Sequence, residues 1–276
     1  MNGLVARFVR HRPAVLGLVL LLAVVLAAVL APLLYPTSPF ELVGTPFQPP
    51  LSERHVLGTD MLGRDLAAGV LHGARTTLLV GVVATLIAVL VGVTIGGLAG
   101  YFGGRVDALL MRLTEIFQTI PFFLFAILIV AVMTPSLRSV ILAIAVVSWP
   151  PMARLVRGEF ISVRNREFVQ SCVAMGMGHA RIIFLHILPN TLSAIIVTGS
   201  LMVATAILIE SGLSFLGLSD ANTMSWGFII GSGRSVLRTA WWICAIPGVA
   251  ILLTVMAINL VGDGLNDALN PRLKTL

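Results

Sequence analysis

The side chains that do covalent or metal chemistry are few in this sequence, and they are scattered. His55, His72, His179 and His186 carry the imidazole that suits a metal such as nickel. Long apolar runs separate them and place them on opposite sides of a membrane, so no four-ligand site follows, and a lone loop histidine is expected to be solvated. Cys172 and Cys244 are the two cysteines, one in a polar-flanked loop and one inside an apolar run, which argues against a disulfide framework. No Ser/His/Asp or Cys/His set shares a believable location. No Gly-x-x-x-x-Gly-Lys-Ser/Thr phosphate loop is present either, so the chain shows no nucleotide site and no cofactor of its own. These residues do not make an enzyme. Three polar side chains stand nearest to membrane depth, where such groups are costly and often mark a pathway or gate: Glu115, Gln118 and Glu210. Glu115 follows Arg112 by three residues, a helical step that favours a local ion pair. Glu210 closes an apolar run just before Leu213-Ser214-Phe215-Leu216-Gly217, where it either braces that segment or faces a pathway. Asn259, inside the last apolar run, is expected to donate a hydrogen bond to another helix.

The elements that hold these residues follow from composition. The 276 residues are 58% hydrophobic and 11% charged, against about 25% charged in a soluble domain. The chain reads as an all-α integral membrane protein, and six apolar runs are taken as its spans across about 30 Å of hydrocarbon. They cover about 14–34, 78–98, 109–133, 140–155, 191–209 and 241–261. The first is too long for the core of a cleaved signal, so it reads as a retained helix. Residues 35–75 and 218–240 read as external segments. Gly92, Gly96 and Gly100 recur every four residues and flatten one face of the second helix for close packing. Trp241, Trp242 and Tyr35 are expected at membrane interfaces. Arginines are about twice as frequent in the segments assigned to the inside as outside, which puts both termini in the cytoplasm. That bias explains the net charge of +6 without nucleic acid. The organisation is then an N-terminal helix and external segment (1–76), a five-helix core (77–265) containing a loop (156–190), and a short tail (266–276).

The loop is the most informative stretch. Arg166 to Asn190 is polar-flanked and lies between two oily runs. Phe168, Cys172 and Met175 fall at i, i+4 and i+7, so they are expected on one face of a short amphipathic helix that Gly176 and Gly178 end. By composition alone this is a connector lying on the membrane surface. Arg154, Arg157, Arg164 and Arg166 around it suit anionic lipid or a partner protein.

The spacing from Gly176 to Leu188-Pro189 resembles the cytoplasmic loop of permease subunits of ATP-binding-cassette importers, a Glu-Ala-Ala, three residues, Gly, nine residues, Ile-x-Leu-Pro pattern. Here the first three positions are Gln170, Ser171 and Cys172, and His186 takes the Ile position. The likeness extends to His55-x-Leu57-Gly58-Thr59-Asp60-x-x-Gly63-Arg64-Asp65, Leu213 to Gly217, Trp226-Gly227, and Gly262-Asp263-Gly264-Leu265 with Asp267-x-Leu269-x-Pro271-Arg272. Together these resemble the C-type permease of dipeptide, oligopeptide and nickel importers. The resemblance implies the type I importer permease fold of about six transmembrane helices in a bacterial cytoplasmic membrane. It also implies partners: a B-type permease subunit, two ATPase subunits that carry ATP and Mg, and an extracytoplasmic substrate-binding protein. Phe168, Gln170, Ser171, Cys172, Met175, Gly176, Leu188 and Pro189 would then couple to the ATPase. The expected cargo is short peptides, with nickel or a haem-type solute as the alternative; a stand-alone channel is the reading from a different class.

Overall fold

A computed structural model describes residues 2–52 and 55–269. In chain order the helices are α1 (Asn2–Arg10), α2 (Arg12–Leu34), α3 (Leu66–Phe102), α4 (Gly104–Thr119), α5 (Phe122–Val132), α6 (Leu137–Arg164), α7 (Glu167–Ala174), α8 (His179–Ile182), a π turn (Ile183–Ile187), α9 (Leu188–Phe215), α10 (Trp226–Gly233), a 3-10 turn (Arg234–Val236) and α11 (Trp242–Leu269). No strand occurs among the described residues, only isolated bridges. Five stretches, namely α2, α3, α6, α8 through α9, and α11, are each long and apolar enough to span a membrane, and the bent pair α4 and α5 makes a sixth.

That bend corrects an expectation. Residues 109–133 read as one continuous span, but α4 and α5 meet at 84°. Pro121 is the cause: its ring pushes the preceding residue out of the helical region, and Ile120 is extended at φ −90, ψ 130. The second span also starts earlier than its hydropathy suggests. Asp65 caps α3 by accepting from the amides of Ala67 and Ala68, so the helix takes in residues that read as external segment. At 37 residues α3 is about 55 Å long and overshoots a bilayer at both ends. The last helix likewise runs on to Leu269 through Gly262 and Gly264, which lie against α9 and α2. Only residues 266–269 of the expected tail are described, and they are helical; Arg272, Lys274 and Arg54 lie outside the described residues.

The α3–α6 pair forms the scaffold. The two helices run parallel, with Gly92 against Met152, Gly96 against the backbone of Ala153, and Gly100 against Arg157 and Phe160. A methyl group at Gly96 would overlap the Ala153 carbonyl oxygen. The glycine stripe seen in sequence is therefore a backbone-to-backbone contact. Antiparallel α9 lies against α3, Gly81 meeting Ile207 and Gly199 meeting Val89. On the outside α2 packs along α11, where Gly17 faces Leu260. Arg157, at the end of α6 that leads into α7, ties down α4 through a bidentate pair with Asp107, Nε to Oδ1 at 2.5 Å and Nη2 to Oδ2 at 2.6 Å. It is therefore not a free surface cation. The start of α2 and the end of α11 meet at this same end, where His11 Nε2 lies 3.4 Å from Asp267.

The opposite end is covered by residues 35–52 and 55–65. His55 is buried, and its Nδ1 lies 3.0 Å from Asp65 Oδ2, so it is not the solvated loop histidine expected. Asp60 Oδ1 accepts from the amides of Leu62 and Arg64, while the Thr59 hydroxyl donates to Thr45 O. Trp242 is not an interface anchor either. It is buried, and its indole N–H donates to Thr59 O at 3.3 Å, pinning the segment to α11; Trp241 beside it remains exposed. α10 re-enters the bundle, with Trp226 buried and its indole N–H donating to Val70 O at 2.9 Å.

Candidate coupling surface and buried carboxylate

α7 is a short helix between two spans, and it has two characters. Val169 and Cys172 are buried among Met152, Val156, Phe160 and Val163 of α6 and Ile182 and Ile187 beyond the loop. Phe168, Val173 and Met175 point outward, with 41%, 51% and 72% of their surface exposed. Phe168, Cys172 and Met175 therefore do not share one face. The buried stripe passes through positions 169 and 172, one helical step apart, and the helix ends before Met175. Among the expected coupling residues Cys172 is the root of the helix, and Val173 is an outward residue that sequence reasoning missed; its apolar type on a short polar-flanked helix was the available signal.

The end of α7 is built as its glycine requires. Gly176 has φ +75; its amide donates to Val173 O at 2.9 Å and the Met177 amide donates to Cys172 O at 3.1 Å. This is the Schellman arrangement, which satisfies two carbonyls that the helix leaves open. Gly178, by contrast, has φ −64 and only leads into α8. Gln170 Nε2 donates to Arg164 O at 2.9 Å across the two-residue link from α6, and Ser171 donates back to Glu167 O. Leu188 and Pro189 open α9 directly after a π turn, within one continuous helical span. The π turn just before them, Ile183–Ile187, is a local widening of the helix of a kind common at functional sites.

Glu115, Gln118 and Glu210 do not form one cluster. Glu115 lies 3.8 Å from Arg112 on the exposed side of α4, the pair expected from spacing, and Gln118 is half-buried on the same helix. Glu210 is 2% exposed at the far end of α9. Its Oε1 accepts from the Ser214 hydroxyl at 2.7 Å, and its Oε2 from Thr77 of α3 at 3.1 Å and Ser211 at 3.4 Å. Thr77 Oγ1 in turn accepts from the Trp226 amide at 3.4 Å. Glu210 is thus the hub where α3, α9 and α10 meet, and the bracing role is the one its geometry supports. Thr77 was not legible as its partner because it lies 133 residues away in sequence. Asn259 is exposed and makes no hydrogen bond to another helix among the described residues, against expectation. No group of three or more His, Cys, Asp or Glu side chains comes together to hold a metal ion among those residues.

Removing the hub carboxylate has a defined cost. Glu210→Ala leaves buried hydroxyls without their acceptor, and each orphaned group costs about 1–3 kcal/mol. Glu210→Gln keeps one oxygen acceptor and is expected to be milder. Thermal unfolding of the purified protein checks this: Ala is expected to lower Tm more than Gln, and equal Tm for both variants and wild type would refute the hub.

The described residues thus form an all-helical scaffold of membrane-spanning length, with a short helix between two spans that leaves apolar side chains exposed. The chain belongs to the family of binding-protein-dependent transport system inner membrane components, which its residues 92–275 match, and its residues 4–50 match the N-terminal TM domain of oligopeptide transport permease C. It is 43% identical over 270 residues to a dipeptide transport system permease protein of Bacillus subtilis, spanning 97% of this chain and 84% of that one. It is 37% identical over 272 residues to an oligopeptide transport system permease protein of Haemophilus influenzae, spanning 96% of this chain and 86% of that one. Among solved structures, the MetNI methionine ABC transporter in inward-facing conformations contains a chain of the same fold, with a TM-score of 0.61 at 18% identity over 71% of this chain and 93% of that one. A chain of an amino acid ABC transporter gives 0.57 at 15% identity over 72% of this chain and 92% of that one.

Proposed function

We propose that this chain is the C-type permease subunit of an ATP-driven importer that moves dipeptides or oligopeptides across the bacterial cytoplasmic membrane. Its relatives' names carry the cargo class, and the observation that carries the mechanism is α7, rooted in the permease by Val169 and Cys172 while it offers Phe168, Val173 and Met175 outward. Gly176 ends the helix so that Met175 stands clear of the surface, and Leu188-Pro189 opens α9. In this reading the loop and both termini are cytoplasmic, the side on which arginines concentrate. Two ATPase subunits, binding ATP and Mg, dock there. A B-type permease supplies the other half of the pathway, and a substrate-binding protein delivers cargo from outside.

A push on α7 reaches the pathway because little slack lies between them. Gln170 ties the helix to the last turn of α6, and α6 contacts α3 backbone to backbone. Close-packed contacts of this kind switch between arrangements as rigid bodies. Nickel and haem-type cargo use the same architecture, and the coupling reading is indifferent to that choice.

The test is to purify the tagged chain in mild detergent from cells expressing its whole transporter and to identify every bound protein. One homologous permease and two ATPase subunits are expected, with ATP hydrolysis stimulated by peptide-loaded binding protein. Recovery of this chain alone, under conditions that preserve a control transporter, would restore the channel reading.

A further inference from the structure

A groove of about 430 Å³ lies beside the loop, between α3 and the segment that returns from the loop into α9. Val93, Gly97, Leu98 and Phe102 form one wall, and Ala180, Ile183 and Phe184 form the other. The groove is half open, and its lining is almost wholly apolar. Thr94 adds a hydroxyl, but that hydroxyl already donates to Leu90 O at 2.8 Å. The polar groups stand at one end only. There His179 Nδ1 lies 2.8 Å from the Tyr101 hydroxyl, and the Arg164 guanidinium sits over the Tyr101 ring, 6.0 Å from its centroid. Arg181 of α8 and Arg105, just past Phe102, are exposed close by in the chain. Of the acidic residues on neighbouring elements, Asp107 is taken up by Arg157, which leaves Glu159 and Glu167 against these cations.

We infer that this groove holds one acyl chain of an anionic phospholipid, with the lipid phosphate at the Arg164, Arg181 and His179 end. Three features select that occupant. The groove lies between α3 and the segment that enters α9, both parts of helices of membrane-spanning length. From Val93 to Phe102 it follows about 14 Å of helix, an elongated shape that suits a chain and not a compact solute. Its single polar end, at His179 and Tyr101, has the Arg164 guanidinium beside it, which suits a negative headgroup. Acyl chains compete equally for an oily groove, so the headgroup decides which lipid stays. The occupant would fill the space between the scaffold helix and the loop's return segment, and so stiffen the connection that coupling uses. The inference requires only that the chain spans a membrane; it stands or falls separately from the importer reading.

The experiment uses the assembled transporter in proteoliposomes containing phosphatidylglycerol or phosphatidylcholine, each with a photoreactive diazirine in one acyl chain. Adducts are mapped by peptide mass spectrometry. With phosphatidylglycerol, adducts are expected on residues 93–102 and 179–188 above the level on the rest of the bundle. Arg164→Gln and Arg181→Gln are each expected to lower them about fivefold, and Ala180→Trp, which fills the groove from an exposed position, to remove them. Equal labelling by the two lipids, or labelling unchanged by the charge variants, would overturn the inference. So would a photoreactive side chain at position 184 that captures another protein subunit in place of lipid.

Discussion

Gly96→Val is expected to leave almost no correctly folded protein. Gly96 meets the backbone of Ala153, and any Cβ there overlaps the Ala153 carbonyl oxygen. A flexible side-chain neighbour could swing away, but a carbonyl inside a helix cannot move without breaking the helix or separating α3 from α6. Overpacking a close contact costs about 1–3 kcal/mol, more when the backbone must shift, and the whole stability of a domain is only about 5–15 kcal/mol. Gly158 is the control: it lies on α6 with nothing within 4 Å of where a methyl group would stand, so Gly158→Ala is expected to be neutral or slightly stabilising. Size-exclusion of detergent extracts before and after mild heating reads the difference. A monodisperse Gly96→Val peak of wild-type height would mean that α3 and α6 are not in backbone contact.

Gly176→Trp is expected to give the largest functional loss without loss of the protein. No atom lies within 4 Å of where a Cβ would stand, so the side chain enters open space in front of α7, beside Met175. The substitution carries two costs that can be separated. One is backbone strain: φ +75 is a left-handed conformation that costs an ordinary residue about 1–2 kcal/mol. The other is bulk placed where the ATPase is proposed to dock. Gly176→Asn isolates the first, since asparagine tolerates this region well. The expected pattern is near wild-type uptake for Asn, and for Trp a fall of at least about tenfold, or roughly 1.4 kcal/mol of coupling, while the complex stays assembled and continues to hydrolyse ATP. Wild-type uptake by a fully assembled Trp variant would show that the loop tip is not the coupling surface.

Much of the architecture was legible because hydropathy and helical spacing are local. Five of the six runs correspond to unbroken spans, and the Arg112–Glu115 pair, a single helical step, is where spacing put it. The stripe of Gly92, Gly96 and Gly100 announced a close contact but not its partner. Pro121 is visible in the sequence as well, but the size of its effect is not, since apolar composition is continuous across a bend of 84°. At the loop, spacing located the helix and its glycine stop. It could not tell which side would face inward, because an eight-residue helix with apolar residues at 168, 169, 172 and 173 presents two candidate faces. Packing against α6 and Ile182 chose 169 and 172.

Composition and short-range spacing were enough to indicate a membrane protein, its five or six apolar spans, and the short helix set between two of them. Each of these rests on residue content or on neighbours within a few helical turns. What the polar residues do was settled by long-range packing. Glu210 finds Thr77, Asp107 finds Arg157, and Trp242 finds Thr59 across separations of 133, 50 and 183 residues. A hydrogen bond requires atoms within about 3 Å of each other, and no periodicity along a chain encodes which distant turns of helix come that close.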